Sequence, residues 1–324
     1  MADVVAFGEL LVDFVPAARP ESLMAAETFK KAAGGAPANV AVGLARLGVS
    51  SAFMGMTGKD GFGRFLADEL LKAGVDIAPL RFTAKARTGL AFVSLEPNGE
   101  RDFLFYRSPG ADMLMTPDDV DENALRAAKC FHFGSISLAA EPSRASTLHA
   151  AALARHHGKL ITYDPNLRRE LWPTADDARA GMRLGLAEAE LVKISEEELR
   201  FLTDEPDPVV GGRRLWHPRL RLMAITRGRA GCCWLTADAH GEVRGFPVTA
   251  IDATGAGDAF MAGLIAGMIG APALPSDATA ITAACRFANA AGALATTGRG
   301  AIPSMPTRQA VGFRISSSTA GPSV

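Results

Sequence analysis

Short stretches rich in Val, Ile and Phe alternate down this chain with longer Ala- and Leu-rich stretches whose apolar residues recur at helical spacing. Few architectures satisfy that alternation. It predicts an α/β fold, a mainly parallel central sheet with helices on both faces. Strands are expected at Val4–Phe7, 51–56, 130–133, 160–163, 191–194 and Leu222–Thr226. Helices are expected over 37–47, 62–73 and 143–157, the second ended by Gly74. The pattern breaks once. Residues 88–95 and Arg101–Tyr106 are strand-like with no helix after them, and the Asn98-Gly99 pair between them favours a hairpin. A small β lid built from about 11–32 and 86–110 is therefore expected on a single domain of residues 1–312. There it can close over a ligand at the carboxyl ends of the strands. Pro206-Asp207-Pro208 and Gly211-Gly212 read as a surface loop, and residues 313–324 as a frayed tail.

A chain of 324 residues, 48% of them hydrophobic, can bury a large core. The net charge of -1 shows no excess of Lys or Arg, which argues against nucleic acid or an acidic membrane surface as partner and for a small-molecule substrate. Cys130, Cys232, Cys233 and Cys285 form no CxxC pair and no metal-ligand spacing with histidine, so they read as reduced, buried thiols. Residues 1–13 lack the basic region and small-residue cleavage site of an export signal, and a cytoplasmic location is expected. The apolar run 259–274 carries Gly263 and Gly267 at GxxxG spacing but is too short to span a bilayer. It reads as a buried helix.

That helix opens on Asp252-Ala253-Thr254-Gly255-Ala256-Gly257-Asp258. The first N–H groups of a helix lack intrahelical partners and carry the positive end of its dipole, so they receive anions, and glycines let the main chain approach phosphate oxygens closely. Asp258, in the first turn, can take a proton from a hydroxyl that attacks such a phosphate. The same residues also suit an ordinary helix start. Neither GxxxxGK[ST] nor a GxGxxG between strand and helix occurs, which counts against a P-loop NTPase or a dinucleotide oxidoreductase.

A second glycine junction, Gly34-Gly35-Ala36-Pro37-Ala38-Asn39, also starts a helix. Together the two junctions resemble the signature regions of the ribokinase-like (PfkB) carbohydrate kinases: a GG-x-x-x-N helix start followed by Leu44-Ala45-Arg46-Leu47-Gly48, and D-x-x-GAGD at Asp252 to Asp258. The likeness extends through Asp164-Pro165-Asn166-Leu167-Arg168, Ser195 to Glu198, Thr226-Arg227-Gly228 and Asn289, and the wording FGELLVDFVP, FHFGSISL and YDPNLRRELWP looks most like fructokinases.

The resemblance implies an ATP-dependent sugar kinase, most similar to fructokinase, forming fructose 6-phosphate. Asp258 is then the base, a role for which ordinary basicity suffices, and the N–H groups of Gly255, Ala256, Gly257 and Asp258 form the anion hole. Asp13, Gly34, Gly35 and Asn39 match sugar-binding positions, and Arg107 and Arg168 match contacts to sugar or transferring phosphate. Thr226, Gly228 and Asn289 match the nucleotide side. The family's NxxE segment reads Ser195 to Glu198, which keeps the acid that organises water around Mg²⁺ and puts a hydroxyl in place of the amide, leaving the Ser195 contact with ATP open. Asp252, Thr254 and Ser304 match a K⁺ site, and relatives imply a homodimer through the lid. Structural alternatives stay open at single positions: Asp13 as a strand cap, Asn39 as a helix-face amide, Arg107 as a solvated surface charge, Asp252 as an anchor of the turn. At the level of function, 2-keto-3-deoxygluconate kinase, ribokinase and a catalytically silent sugar sensor are the alternatives.

Overall fold

The computed structural model describes residues 1–17, 23–95, 101–269 and 277–319. Its body strands are β1 (Val4–Phe7), then β4 (Ser51–Gly58) and β5 (Leu80–Thr83), with β2 (Leu11–Pro16) and β3 (Phe29–Gly34) intervening in the lid. The lid is completed by β6 (Leu90–Leu95) and β7 (Arg101–Tyr106), after which the body resumes with β8 (Cys130–Gly134), β9 (Leu160–Asp164), β10 (Leu191–Ser195), β11 (Leu222–Thr226), β12 (Gly231–Leu235) and β13 (His240–Arg244). The body sheet runs β13-β12-β11-β10-β9-β8-β1-β4-β5. All neighbours from β5 to β11 are parallel, and β12 and β13 add an antiparallel edge that the sequence reading did not foresee.

Helices cover both faces, as the alternation predicts. They are α1 (Ala36–Arg46), α2 (Gly61–Lys72), α3 (Glu122–Ala127), α4 (Ser143–His156), α5 (Ala175–Glu188), α6 (Glu196–Thr203), α7 (Pro208–Arg214), α8 (Ala256–Met268), α9 (Ala278–Ala295), α10 (Ala301–Ser304) and α11 (Arg308–Thr319). Strand side chains alternate between two cores. Phe7, Phe133, Tyr163 and Ile194 pack with Ala150 and Met182 of α4 and α5, whereas Val4, Leu191 and Leu222 pack with Leu44 of α1 and Leu264 of α8. Strands buried on both faces read as continuous apolar runs. The GxxxG spacing serves this packing: a Cβ on Gly263 would lie 2.9 Å from Ala288 Cα, so α8 and α9 meet almost backbone to backbone. No described helix is long and apolar enough to cross a membrane.

Two boundaries differ from expectation. Residues 208–214 form α7, started by Asp207, whose side chain accepts from Val209 and Val210 N–H at 2.9 Å, and Gly211 and Gly212 are buried residues of this helix rather than markers of a loop. The expected tail is helical through Thr319 in α11, with Val311 buried. The Asn98-Gly99 turn lies outside the described residues, although β6 and β7 pair antiparallel as a hairpin should.

Chain order fixes where a ligand can sit. From β1 the chain moves outward to β4 and β5, then returns to β8 on the opposite side of β1, so the strand order reverses there. Crevices at such a switch point, beyond the carboxyl ends of the strands, hold ligands. The lid sheet, ordered β3-β2-β6-β7, leaves the body at this place, and Phe14 of β2 meets Phe62 of α2 edge-on at 5.7 Å while stacking on Phe92 of β6 at 5.0 Å.

One prediction concerns the support of β9. Helix α5 turns Gly185 toward Tyr163, where a Cβ would come within 2.5 Å of ring carbons. Gly185→Ala gains about 1 kcal/mol in helix propensity but overpacks at about 1–3 kcal/mol. Because the ring is fully buried, the loss is expected to win, and a lowered melting temperature checks it.

Candidate active site

Five strand ends converge at the switch point. Glu9 follows β1, Gly134 ends β8, Asp164 ends β9, Ser195 ends β10 and Thr226 ends β11. Over them stand the N-termini of α1 and α8, each entered through glycine. Gly35, the N-cap of α1, has φ 111°, and a Cβ there would strike the Glu9 carbonyl oxygen. Gly255, the N-cap of α8, has φ 77°, a left-handed conformation that a β-branched residue resists.

Asp258 is the point where the two helices meet. Its Oδ2 accepts from Asn39 Nδ2 at 2.7 Å and its Oδ1 accepts from Asn166 Nδ2 at 3.2 Å. Asn39 is thus buried on that carboxylate, and no described group pairs with its Oδ1. Burial raises the Asp258 pKa above its ordinary value; the Asn39 hydrogen bond and the charges of Lys193 and Arg168 pull against that, while Glu198 pushes with it. At the turn that enters α8, Ala256 N–H donates to the Ala253 carbonyl at 3.2 Å.

Lys193, which the sequence reading passed over, lies beside that turn. A Cβ on Gly257 would sit 2.9 Å from Lys193 Nζ. The ammonium pairs with Asp164 at 2.9 Å, and both side chains are buried. Burial works against the ammonium, but Asp164, Glu198 and Asp258 more than offset it and raise its pKa. Asp164 itself is pushed up to about 7, chiefly by burial, with Lys193 opposing. A lysine inside Leu191-Val192-Lys193-Ile194 was the available signal, because a strand buried on both faces does not take a charge without a partner.

Ser195 is the N-cap of α6 in a reciprocal capping box: its Oγ accepts from Glu198 N–H at 3.1 Å, and Glu198 Oε2 accepts from Ser195 N–H at 2.9 Å. Glu198 Oε1 accepts from Leu167 N–H at 2.7 Å, tying the Asp164-to-Arg168 turn to α6. That turn passes through Asn166 at φ 44°, which aims its amide at Asp258.

On the lid side, Asp13 packs against Gly34, where a Cβ would meet its carboxylate. Arg107 is not a solvated surface charge. It is 5% exposed and paired with Asp112 at 2.5 Å. Glu9 Oε1 accepts from Ala36 N–H at 2.9 Å, supplying the cap that Gly35 cannot. Burial lifts its pKa to about 7.

A cavity of about 680 Å³ opens between β11, β13, α8 and α9. Thr226, Gly228, Asn289, Phe246, Ala256 and Gly257 line it. Asn289 Nδ2 donates to the Val243 and Arg244 carbonyls at 3.0 and 3.3 Å, which fixes the amide against β13. Asp252 accepts from Thr254 N–H at 2.7 Å, Thr254 Oγ1–H at 2.6 Å and Gly300 N–H at 2.9 Å, so it anchors the glycine turn to the loop before α10. Ser304 Oγ, in α10, is buried with no partner among the described residues. No group of three or more His, Cys, Asp or Glu suited to a metal occurs among those residues.

The model of the pfkB family carbohydrate kinases matches residues 1–308, and the chain belongs to that family. It is 49% identical over 310 residues to a probable chloroplastic fructokinase-6 of Arabidopsis thaliana, covering 95% of this chain and 81% of the relative. Among solved structures it is similar to the ATP-bound fructokinase of Xylella fastidiosa, with TM-score 0.90 and 35% identity over 98% of this chain and 100% of that one. A fructokinase double mutant from Vibrio cholerae O395, bound to fructose, ADP and potassium ion, aligns with TM-score 0.88 and 36% identity over 97% of this chain and 98% of its own.

Proposed function

We propose that this chain is an ATP-dependent fructokinase that transfers the γ-phosphoryl group to the 6-hydroxyl of fructose. The observation that carries the reading is a junction: Gly257 lines the 680 Å³ cavity, and the next residue, Asp258, is hydrogen-bonded to Asn39 of the second glycine junction. A nucleotide filling the cavity with its base toward Asn289 brings its phosphates to α8, while a sugar between Asp13, Gly34 and Asp258 brings a hydroxyl to the same carboxylate. Asp258 takes the hydroxyl proton, the oxygen attacks the γ-phosphorus, and the bond to the leaving ADP oxygen breaks. Such a loose transition state gains mainly from alignment and charge stabilisation. The Gly255, Gly257 and Asp258 amides, Lys193 and Arg168 supply the charge; Asn39 and Asn166 aim the base.

Glu198, whose two oxygens accept the Leu167 and Ser195 N–H groups, would hold Mg²⁺ through water, and the ion would supply positive charge to the phosphates. Ser304 Oγ, buried and unpartnered among the described residues, fits an oxygen ligand of K⁺ beside the Asp252 anchor. Activity is expected to rise when K⁺ replaces a bulky organic cation in the assay, and equal rates in both refute the site. Buried, unbridged cysteines suit a reducing compartment such as the cytoplasm. The exposed lid residues Val15, Leu104 and Tyr106 suit pairing with a second copy.

The test of the main reading is ATP consumption on a panel of fructose, ribose and 2-keto-3-deoxygluconate. Fructose is expected to give the highest kcat/KM. No turnover on it rejects the assignment.

A further inference from the structure

At the root of the lid, where β2 leaves β1 and β7 returns, a three-residue charge cluster contains one cation. Glu9 and Asp112 are buried there at 2% and 6% exposure, and Arg107 is the cation, while Asp13 of β2 flanks Gly34. Arg107 spends two nitrogens on a single oxygen: Nε at 2.7 Å and Nη2 at 2.5 Å, both to Asp112 Oδ2. The pair is packed tightly, for a Cβ on Gly110 would lie 2.6 Å from Asp112 Oδ1 and 2.8 Å from Arg107 Cγ. Two carboxylate oxygens in the cluster, Asp112 Oδ1 and Glu9 Oε2, are buried without a hydrogen-bond partner among the described residues.

Resting on the sugar-kinase reading, we propose that Asp112 is a specificity-determining residue. By neutralising Arg107 it makes the lid side of the sugar site accept neutral polyols and reject sugar acids. The chemistry is one of unmatched partners. Buried carboxylate oxygens accept hydroxyl protons, which every neutral sugar offers in quantity, whereas a substrate carboxylate offers only more negative charge. A carboxylate would need an uncompensated guanidinium, and Arg107 is compensated. Discrimination of this kind works by placing a repulsive group against the wrong substrate as much as by attracting the right one. Without Asp112, the same arginine keeps an uncompensated guanidinium, the group that a substrate carboxylate pairs with.

Two variants should move the preference in opposite directions. The quantity read is the ratio of kcat/KM for 2-keto-3-deoxygluconate to that for fructose, or the sugar acid's inhibition constant against fructose where it is not turned over. Asp112→Asn keeps the shape and one acceptor for Arg107 while removing the negative charge. It is expected to raise the ratio about 10²–10³-fold, the scale for one unpaired charge acting over roughly 4–6 Å at an effective dielectric of about 20. Arg107→Met is expected to lower the ratio, because it leaves Asp112 unopposed. A pair that only holds the lid root together would lower both substrates in parallel in both variants, and an unchanged ratio overturns the inference. Because the measure is a ratio, loss of folded protein does not move it; should Asp112→Asn fail to fold, Arg107→Met decides alone by the same criterion. Wild-type protein silent on fructose would instead remove the sugar assignment beneath, so the two failures are distinguishable.

Discussion

Asp258→Asn is expected to bind fructose and ATP normally and to transfer phosphate about 10²–10⁴-fold more slowly, the range for losing a positioned general base. The isostere retains an oxygen for Asn39, which holds Asp258 Oδ2 at 2.7 Å, and it leaves the glycine turn intact. What disappears is the proton acceptor. Its pH signature is separable. Burial raises the Asp258 pKa, and the base works deprotonated, so turnover rises with pH through a value above the usual aspartate range. Asp164 titrates near 7 close by, and the limb belongs to Asp258 only if the residual activity of Asp258→Asn lacks it. Equilibrium binding of both ligands with near wild-type turnover would falsify the base assignment. Loss of binding would mean instead that the carboxylate holds the site together.

Why Asp258 was legible and its surroundings were not follows from what each residue depends on. A glycine turn entering a helix is a local device, and Gly255 to Asp258 carries its chemistry within four consecutive residues. The doubly buried strands β1, β8, β9, β10 and β11 were equally local, each an apolar run with clear ends. Asn39, by contrast, could be read only as a sugar ligand or a surface amide. Its partner is Asp258, 219 positions away, and no periodicity encodes a contact of that span. Arg107 and Asp112 are five residues apart, yet their pairing depends on the lid folding back on β1 so that both are buried. Residues 206–212 were misread for a different reason. Two prolines and two glycines are loop signals on average, but Asp207 and Pro208 stand as N-cap and first helical residue of α7, where they favour a helix start.

Lys193→Met is expected to have the largest combined effect, on stability and turnover together. Removing the ammonium leaves Asp164 buried without its ion-pair partner, and breaking a buried pair from one side costs about 3–5 kcal/mol. The loss has a pH sign. With the pair intact Asp164 titrates at about 7 against an ordinary value of 3.8, so the folded state holds the proton more tightly and the group weakens the fold as pH climbs through that window. Methionine removes the one charge that opposes the shift, so the window extends upward and the melting temperature should fall with pH more steeply than in the wild type. Adding Asp164→Asn deletes the unpaired charge, and the double variant is expected to recover most of the lost stability, since replacing both partners of a buried pair is often near neutral. Turnover should not recover with it. Lys193 Nζ stands 2.9 Å from where a Gly257 Cβ would be, at the turn proposed to receive the transferring phosphate, and neither Met nor Asn replaces a positive charge there. A double variant that regains both melting temperature and kcat would confine Lys193 to holding Asp164, whereas recovered stability with depressed kcat separates the charge that builds the site from the charge that runs it.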